Sequence, residues 1–205
     1  RCTSRGLGDV YKRQIIADKL ALSAADIVVT EAGFGSDMGA EKFMHIKAAT
    51  SGKGPDCVVM NVTIRSMKLH GGAFGSRGGY RPSKAELEAE NVEAVSIGAA
   101  TNLDRHIRNM AGFGVPVIVS INKFTSDTEA EIQALSDAAH ASGARAVTIT
   151  EVHSKGGEGG EDLAKAVVKA VQDHVAAGRP FTPLFLKDAP VMEKVAVSYT
   201  HLTLP

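Results

Sequence analysis

Arg65, Lys68 and His70 share one short block, ahead of Gly71-Gly72 and behind the apolar run Cys57-Val58-Val59-Met60. The run reads as a buried strand, so two cations, an imidazole and two glycines stand together where that strand ends. In open α/β sheets, ligands bind in the crevice outside the carboxyl ends of the strands. The chemistry such a block offers is anion capture, with glycines that let backbone come close to the charge. Two plainer readings stand beside it: a solvated basic turn, or Arg65 and Lys68 as structural ion-pair partners that brace the turn at Gly71.

Three further strand-to-helix junctions carry polar and glycine-rich residues. Thr30-Glu31-Ala32-Gly33-Phe34-Gly35-Ser36-Asp37-Met38-Gly39 has glycines and a following helix suited to an anion. Its spacing departs from the dinucleotide fingerprint, since three residues separate Gly35 from Gly39. Glu31 and Asp37 oppose a phosphate unless a cation intervenes, and a structural turn is the alternative. Asn122-Lys123-Phe124-Thr125 matches the Asn-Lys-x-Asp base-reading pattern of GTP-binding proteins only in part, because Thr125 replaces the aspartate. Phe124 either plugs the core or offers a platform to a flat heterocycle. Glu151-Val152-His153-Ser154-Lys155-Gly156-Gly157-Glu158-Gly159-Gly160 sets a lysine before glycines without the Gly-x-x-x-x-Gly-Lys-Ser/Thr order of a phosphate loop. His153 reads as a hydrogen-bonded surface residue or a ligand contact. His45, His106, His140 and His174 fall on predicted helices without metal-ligand spacing, so no zinc site is expected. No nucleophile elbow is present.

The elements that must position these residues alternate between strand and helix, the pattern of a mostly parallel sheet with helices on both faces. Strands are predicted at Asp26–Thr30, Asp56–Val62, Val115–Ile121 and Ala146–Thr150. A helix is predicted over Gly39–Thr50 with Asp37 as N-cap. Ser83 with Glu86 forms a capping-box signature for a helix running towards Gly98, and another helix covers Ala99–Ala111. Asp127–Ser142 is helical with Gly143 as its stop, and Glu161–Ala177 is the final long helix. Gly71–Arg81 reads as a mobile loop, Pro180–Pro190 as an exit segment, and Val191–Ala196 as the start of a further helix.

Both ends are expected to be non-native. Asp9-Val10-Tyr11-Lys12-Arg13-Gln14 back-translates to DNA whose reverse complement, in a shifted frame, encodes Val197-Ser198-Tyr199-Thr200-His201, as translated sequencing adapters do. Residues 1–14 and 197–205 are therefore expected to be flanks and 15–196 part of an α/β domain region, an internal fragment. Lys and Arg number 23, as do Asp and Glu, and this balance without a basic stripe argues against nucleic acid as partner. No apolar run approaches the ~20 residues that span a bilayer. Of the two cysteines, Cys2 lies in the flank and Cys57 within an apolar strand, so no disulfide framework exists. A cytoplasmic location fits.

Taken together, TEAGFGSDMGAEKF (Thr30–Phe43), VTIRSMKLHGG (Val62–Gly72), INKFTSDTEAEI (Ile121–Ile132) and SKGGEGG (Ser154–Gly160) resemble formate–tetrahydrofolate ligase, in the same order. ENVEAV (Glu90–Val95), FGVPVIVSIN (Phe113–Asn122) and PVMEKV (Pro190–Val195) fit as well. The resemblance implies a P-loop NTPase-like α/β fold, here incomplete, and an ATP-dependent ligase acting through formyl phosphate. It implies ATP with Mg²⁺, a monovalent cation, tetrahydrofolate as substrate, and a full-length homo-oligomer. Glu31, Gly33, Phe34, Gly35, Ser36 and Asp37 would border the nucleotide phosphates or the formyl group. Arg65, Lys68 and His70 would act on anionic charge. Phe124, His153, Lys155, Gly156 and Gly157 would form the folate site, although His153 stands where tryptophan is usual and Thr125 where proline is usual. The loop Ala73–Arg81 looks longer than its counterpart and reads as a lid or an inert insertion. The family's P-loop is expected upstream, so the chain alone should not turn over. The competing reading is a P-loop-type nucleotide switch or metallochaperone, suggested by Asn122-Lys123.

Overall fold

A computed structural model describes residues 5–33, 35–75, 82–178, 181–186 and 188–202. In chain order the elements are α1 Arg5–Ala24, π-helical turns at Gly35–Ala40 and Phe43–Ala48, α2 Ala49–Ser51, β1 Val58–Val62 and α3 Ile64–His70. Then follow α4 Lys84–Glu88, α5 Val92–Gly98, a π-helical turn at Ala99–Leu103, α6 Asp104–Ala111, β2 Val117–Asn122 and α7 Glu129–Ala141. Last come β3 Ala146–Thr150, α8 Val152–Lys155, a 3₁₀ turn at Gly156–Gly160, α9 Glu161–Ala176 and α10 Val191–Leu202. The described residues divide into two compact units, one drawn from 5–55 with 182–202 and the other from 56–181.

In the first unit the strand predicted at Asp26–Thr30 does not form. Ile27-Val28-Val29 has the right composition, but a strand exists only through lateral hydrogen bonds. None of the described strands pairs with it, and Val29 is 90% exposed. The helical stretch begins at Gly35 rather than Gly39, which puts Asp37 inside the first turn instead of at the N-cap. It ends at Ser51, where Gly52 takes the left-handed conformation (φ 74°). The buried Lys47 ammonium pairs with Asp18 of α1 at 2.7 Å and donates to Thr30 Oγ1 at 3.0 Å. Helix runs across both expected flank boundaries, since α1 begins at Arg5 and α10 ends at Leu202.

The second unit is a three-stranded parallel sheet in the order β1-β2-β3. Val117, Ile118, Val119, Ser120 and Ile121 of the central strand are all buried. Successive residues of a strand face opposite sides, so both faces of β2 are covered, as a parallel sheet requires. Ser83, Asn91 and Thr128 cap α4, α5 and α7, and the first and last do so as capping boxes with Glu86 and Glu131. Gly143 (φ 97°) closes α7 as expected. The block after β1 is a helix rather than a loop. Thr63 and Ser66 form its capping box, and Arg65, Lys68 and His70 project from α3.

Two contacts hold α3 in place. The first is backbone against backbone: a Cβ on Gly71 would lie 1.8 Å from Ala94 O, and one on Gly98 2.1 Å from Met67 O. Only glycine at both positions lets α3 and α5 approach so closely. The second is polar. Lys68 (1% exposed) pairs with Glu131 (0% exposed) at 2.6 Å and donates to Ala89 O at 2.8 Å and Leu87 O at 3.4 Å. Glu131 also accepts the Asn91 N–H at 2.7 Å and the Thr128 N–H at 3.2 Å.

Burial works against the ionised Glu131, and the hydrogen bonds from Lys68, Asn91 and Thr128 outweigh it, holding the carboxyl below the usual range. A depressed folded-state pKa contributes stability above the unfolded value of ~4.3, and that contribution fades as pH falls through the folded value. Glu131→Gln is therefore expected to cost about 3 kcal/mol in urea unfolding at pH 7, near the range for breaking a buried pair. The gap to wild type should narrow once the pH drops below about 4. A gap that stays constant from pH 7 to pH 3 would refute the charged pairing.

Candidate functional site

Parallel pairing in register brings the strand ends level. Val62 lies opposite Ile121, and Asn122 opposite Thr150. The segments leaving β1, β2 and β3 therefore start from one rim of the sheet, and they carry Arg65, Phe124 and His153 respectively. The Lys123 N–H donates to Thr150 O at 3.0 Å and joins two of these exits.

Phe124 rests on the surface rather than in the core, 37% exposed. The Arg65 guanidinium lies over its ring, 4.3 Å from the centroid, a stacked arrangement favoured by the planar cation. Arg65 Nη2 reaches Ser126 Oγ at 3.4 Å and Glu88 Oε1 at 3.9 Å, while its Nε is buried without a partner among the described residues. The loop beneath the ring is closed by the buried Asp127. Its Oδ2 accepts the Phe124 N–H at 2.8 Å, and its own N–H donates to Phe124 O at 3.0 Å. Burial pushes the Asp127 carboxyl up, against the Phe124 hydrogen bond and the nearby Lys68 and Arg65. Lys123 is held by Glu129 at 2.7 Å, and that hydrogen bond raises its pKa.

Lys68 is turned inward, and its donors are committed to Glu131 and two carbonyls. For Lys68 that is the structural ion-pair reading, with Glu131 as the partner. His70 sits exposed in the last turn of α3. Gly71 packs against α5 and Gly72 takes a positive φ of 79°. A cavity of about 200 Å³ bordered by Lys68, Phe74, Glu86 and Asn91 opens beside the start of the Ala73–Arg81 loop. The expectation for residues 76–81 of that loop lies outside the described residues.

His153 is exposed on α8. Lys155 pairs with Glu151, and that hydrogen bond holds the Glu151 carboxyl low. Gly156 has φ 61° and ψ −142°, a conformation left to glycine. Gly157 has open space around it, whereas a Cβ on Gly159 would lie 2.5 Å from the Glu151 carbonyl carbon. The loop closes there through Glu151 N–H to Gly159 O at 3.0 Å.

In the first unit, Glu31, Gly33 and Asp37 are exposed, Gly35 and Ser36 half-buried, and Phe34 lies outside the described residues. The glycine spacing has a packing cause, since a Cβ on Gly39 would stand 1.7 Å from Gly33 O. Gly35 takes φ 79°. Burial pushes the Cys57 thiol up to about 11, so it stays protonated.

Sequence reasoning missed Asp127, Glu131, Lys47 and Gly159. Thr128 with Glu131 is a legible capping box, but the second role of Glu131, as partner of Lys68, depends on a long-range contact. No described helix is long and apolar enough to cross a membrane.

Comparison with known proteins gives a uniform result. The family profile for formate–tetrahydrofolate ligase matches residues 11–202. A formate–tetrahydrofolate ligase of Dinoroseobacter shibae is 48% identical over 181 residues, 88% of this chain and 30% of the relative. One from Staphylococcus carnosus is 46% identical over 188 residues, covering 92% of this chain and 31% of its own length. One from Latilactobacillus sakei is 44% identical over 188 residues, 92% of this chain and 31% of the relative. The chain thus spans about 30% of the length of these relatives.

The 151–160 loop yields a direct test. Gly159→Ala should lower thermal stability, because its Cβ overlaps backbone and overpacking costs about 1–3 kcal/mol. Gly157→Ala should be close to neutral. Equal melting temperatures for the two variants would show that the closure at Gly159 is not tight.

Proposed function

The chain belongs to the formate–tetrahydrofolate ligase family, and on that premise we propose that it is part of an ATP-dependent ligase joining formate to tetrahydrofolate. Residues 15–196 form part of its α/β ligase region. The observation that carries the reading is the Arg65–Phe124 stack at the rim from which the His153 loop also departs.

In the proposed reaction a formate oxygen attacks the γ-phosphorus of ATP, giving formyl phosphate and ADP. The N10 amine of tetrahydrofolate then attacks the formyl carbon, and phosphate leaves with the C–O bonding pair. Formyl phosphate hydrolyses readily, so a cation-lined crevice that excludes water protects it. Arg65 suits that task, since its side chain is about one-third exposed and a guanidinium resting on a ring still offers its edge donors to an anion. His70, exposed in the last turn of the same helix, is a second donor to anionic charge. Lys68 acts through structure, because its donors are already used.

Glu31, Gly33, Phe34, Gly35, Ser36 and Asp37 are assigned to the nucleotide phosphates or the formyl group. Phe124 and His153 are assigned to the folate ring system, with Lys155, Gly156 and Gly157 shaping the loop that carries His153. Mg²⁺ would accompany the nucleotide phosphates and neutralise their charge, and among the described residues no cluster of three His, Cys, Asp or Glu forms a metal site. A monovalent cation, a cytoplasmic location and a homo-oligomeric full-length enzyme complete the proposal and rest on the family resemblance alone.

The test is tetrahydrofolate binding by a complete enzyme containing this chain. Replacing the smaller imidazole by indole, His153→Trp, should tighten binding about two- to tenfold, the order of one aromatic stacking contact. Unchanged affinity would remove His153 from the folate site. The 205-residue chain holds no Gly-x-x-x-x-Gly-Lys-Ser/Thr loop and should show no ATP-dependent formyl transfer by itself. Normal turnover from it would overturn the assignment of phosphate binding to a loop outside these residues.

A further inference from the structure

An aromatic ring at the mouth of a strand-end crevice is useful to a planar ligand only if its plane is held before the ligand arrives. Phe124 is held from two sides. The Arg65 guanidinium lies on one face of the ring at 4.3 Å, yet the residue remains 37% exposed. The backbone beneath is fixed by the reciprocal hydrogen bonds of Asp127, at 2.8 Å to the Phe124 N–H and 3.0 Å to its carbonyl.

Asp127 is itself buried and lies within electrostatic reach of Glu131, Lys68 and Arg65. A carboxylate kept in so enclosed a place carries a desolvation cost that a surface turn would not need. A serine or asparagine closing the same turn from the surface would avoid that cost. Placing the acceptor at Asp127 sets the Phe124 amide, and through it the ring, relative to α3 and α7.

We propose that Asp127 is a positioning residue for Phe124: with Arg65 covering one face of the ring, it presents the other face, in a fixed plane, to a planar heterocycle. This rests on the folate reading for the identity of the heterocycle, whereas the positioning itself does not. Phe124 has a second consequence for Arg65. The stack fixes the guanidinium plane, so loss of the turn at Asp127 disturbs both the aromatic platform and the cation.

The test has two arms. In the isotopically labelled 205-residue chain, the Arg65 side-chain NMR resonances should be shifted upfield by the ring current of Phe124. Asp127→Ala should abolish that shift, and Asp127→Asn, whose amide oxygen can still accept the Phe124 N–H, should retain it. In a complete enzyme containing this chain, Asp127→Ala should raise the KM for tetrahydrofolate about fivefold, the order of one stacking contact, with the KM for ATP unmoved. Asp127→Asn should lie near wild type.

An upfield shift that survives Asp127→Ala overturns the positioning role, and so does an Asn variant as impaired as Ala. A rise in both KM values together overturns the link to the planar ligand. Should Asp127→Ala fail to fold, Asp127→Glu, which displaces the acceptor by one methylene, gives the same readouts. Wild-type complete enzyme without formyl transfer would defeat the ligase reading, while the resonance shift would still decide the role of Asp127.

Discussion

The second unit depends on one buried pair. Lys68 and Glu131 come from α3 and α7, and neither reaches solvent. The pair is tolerable only because nearly every lone pair and proton finds a partner: two carbonyls at residues 87 and 89 for the ammonium, and the Asn91 and Thr128 N–H groups for the carboxylate. Incompletely satisfied, two such charges would cost more in desolvation than their attraction returns. Fully satisfied, they tie α3, the 87–91 segment and α7 into a single arrangement. The pair also specifies α3's rotation, which decides that Lys68 points in while Arg65 points towards the rim.

From that rotation the candidate site follows. Arg65 lies three residues before Lys68 on the same helix, and its guanidinium meets Phe124, which leaves the end of the neighbouring strand. Glu131 caps α7, and Asp127 closes the turn just before it, so the segment that buries the ion pair also holds the aromatic ring. Core and rim are therefore coupled through residues 124–131. Damage to the buried pair should reach the stack, even though Lys68 itself lies in the core.

Glycine serves three separate purposes in the same unit. Gly71 and Gly98 allow two helices to touch backbone to backbone, Gly143 and Gly156 supply conformations with positive φ, and Gly159 permits the close return of a loop onto Glu151. Composition alone does not separate these purposes, because a glycine needed for contact and one needed for conformation look alike in a string of letters.

What the sequence determined by itself was set by local physics. The capping box at Ser83, the glycine stop at Gly143 and the strand at Ala146–Thr150 all rest on interactions within a few residues. The α/β class and the order of the loops were readable for the same reason. Tertiary structure alone decided which cation is spent in the core, which glycine is held by contact, and which aromatic face stays open. It also decided that Ile27-Val28-Val29 lacks a strand partner among the described residues. Each of those outcomes depends on groups far apart in the chain, and periodicity along a sequence carries no record of what lies across from it in space.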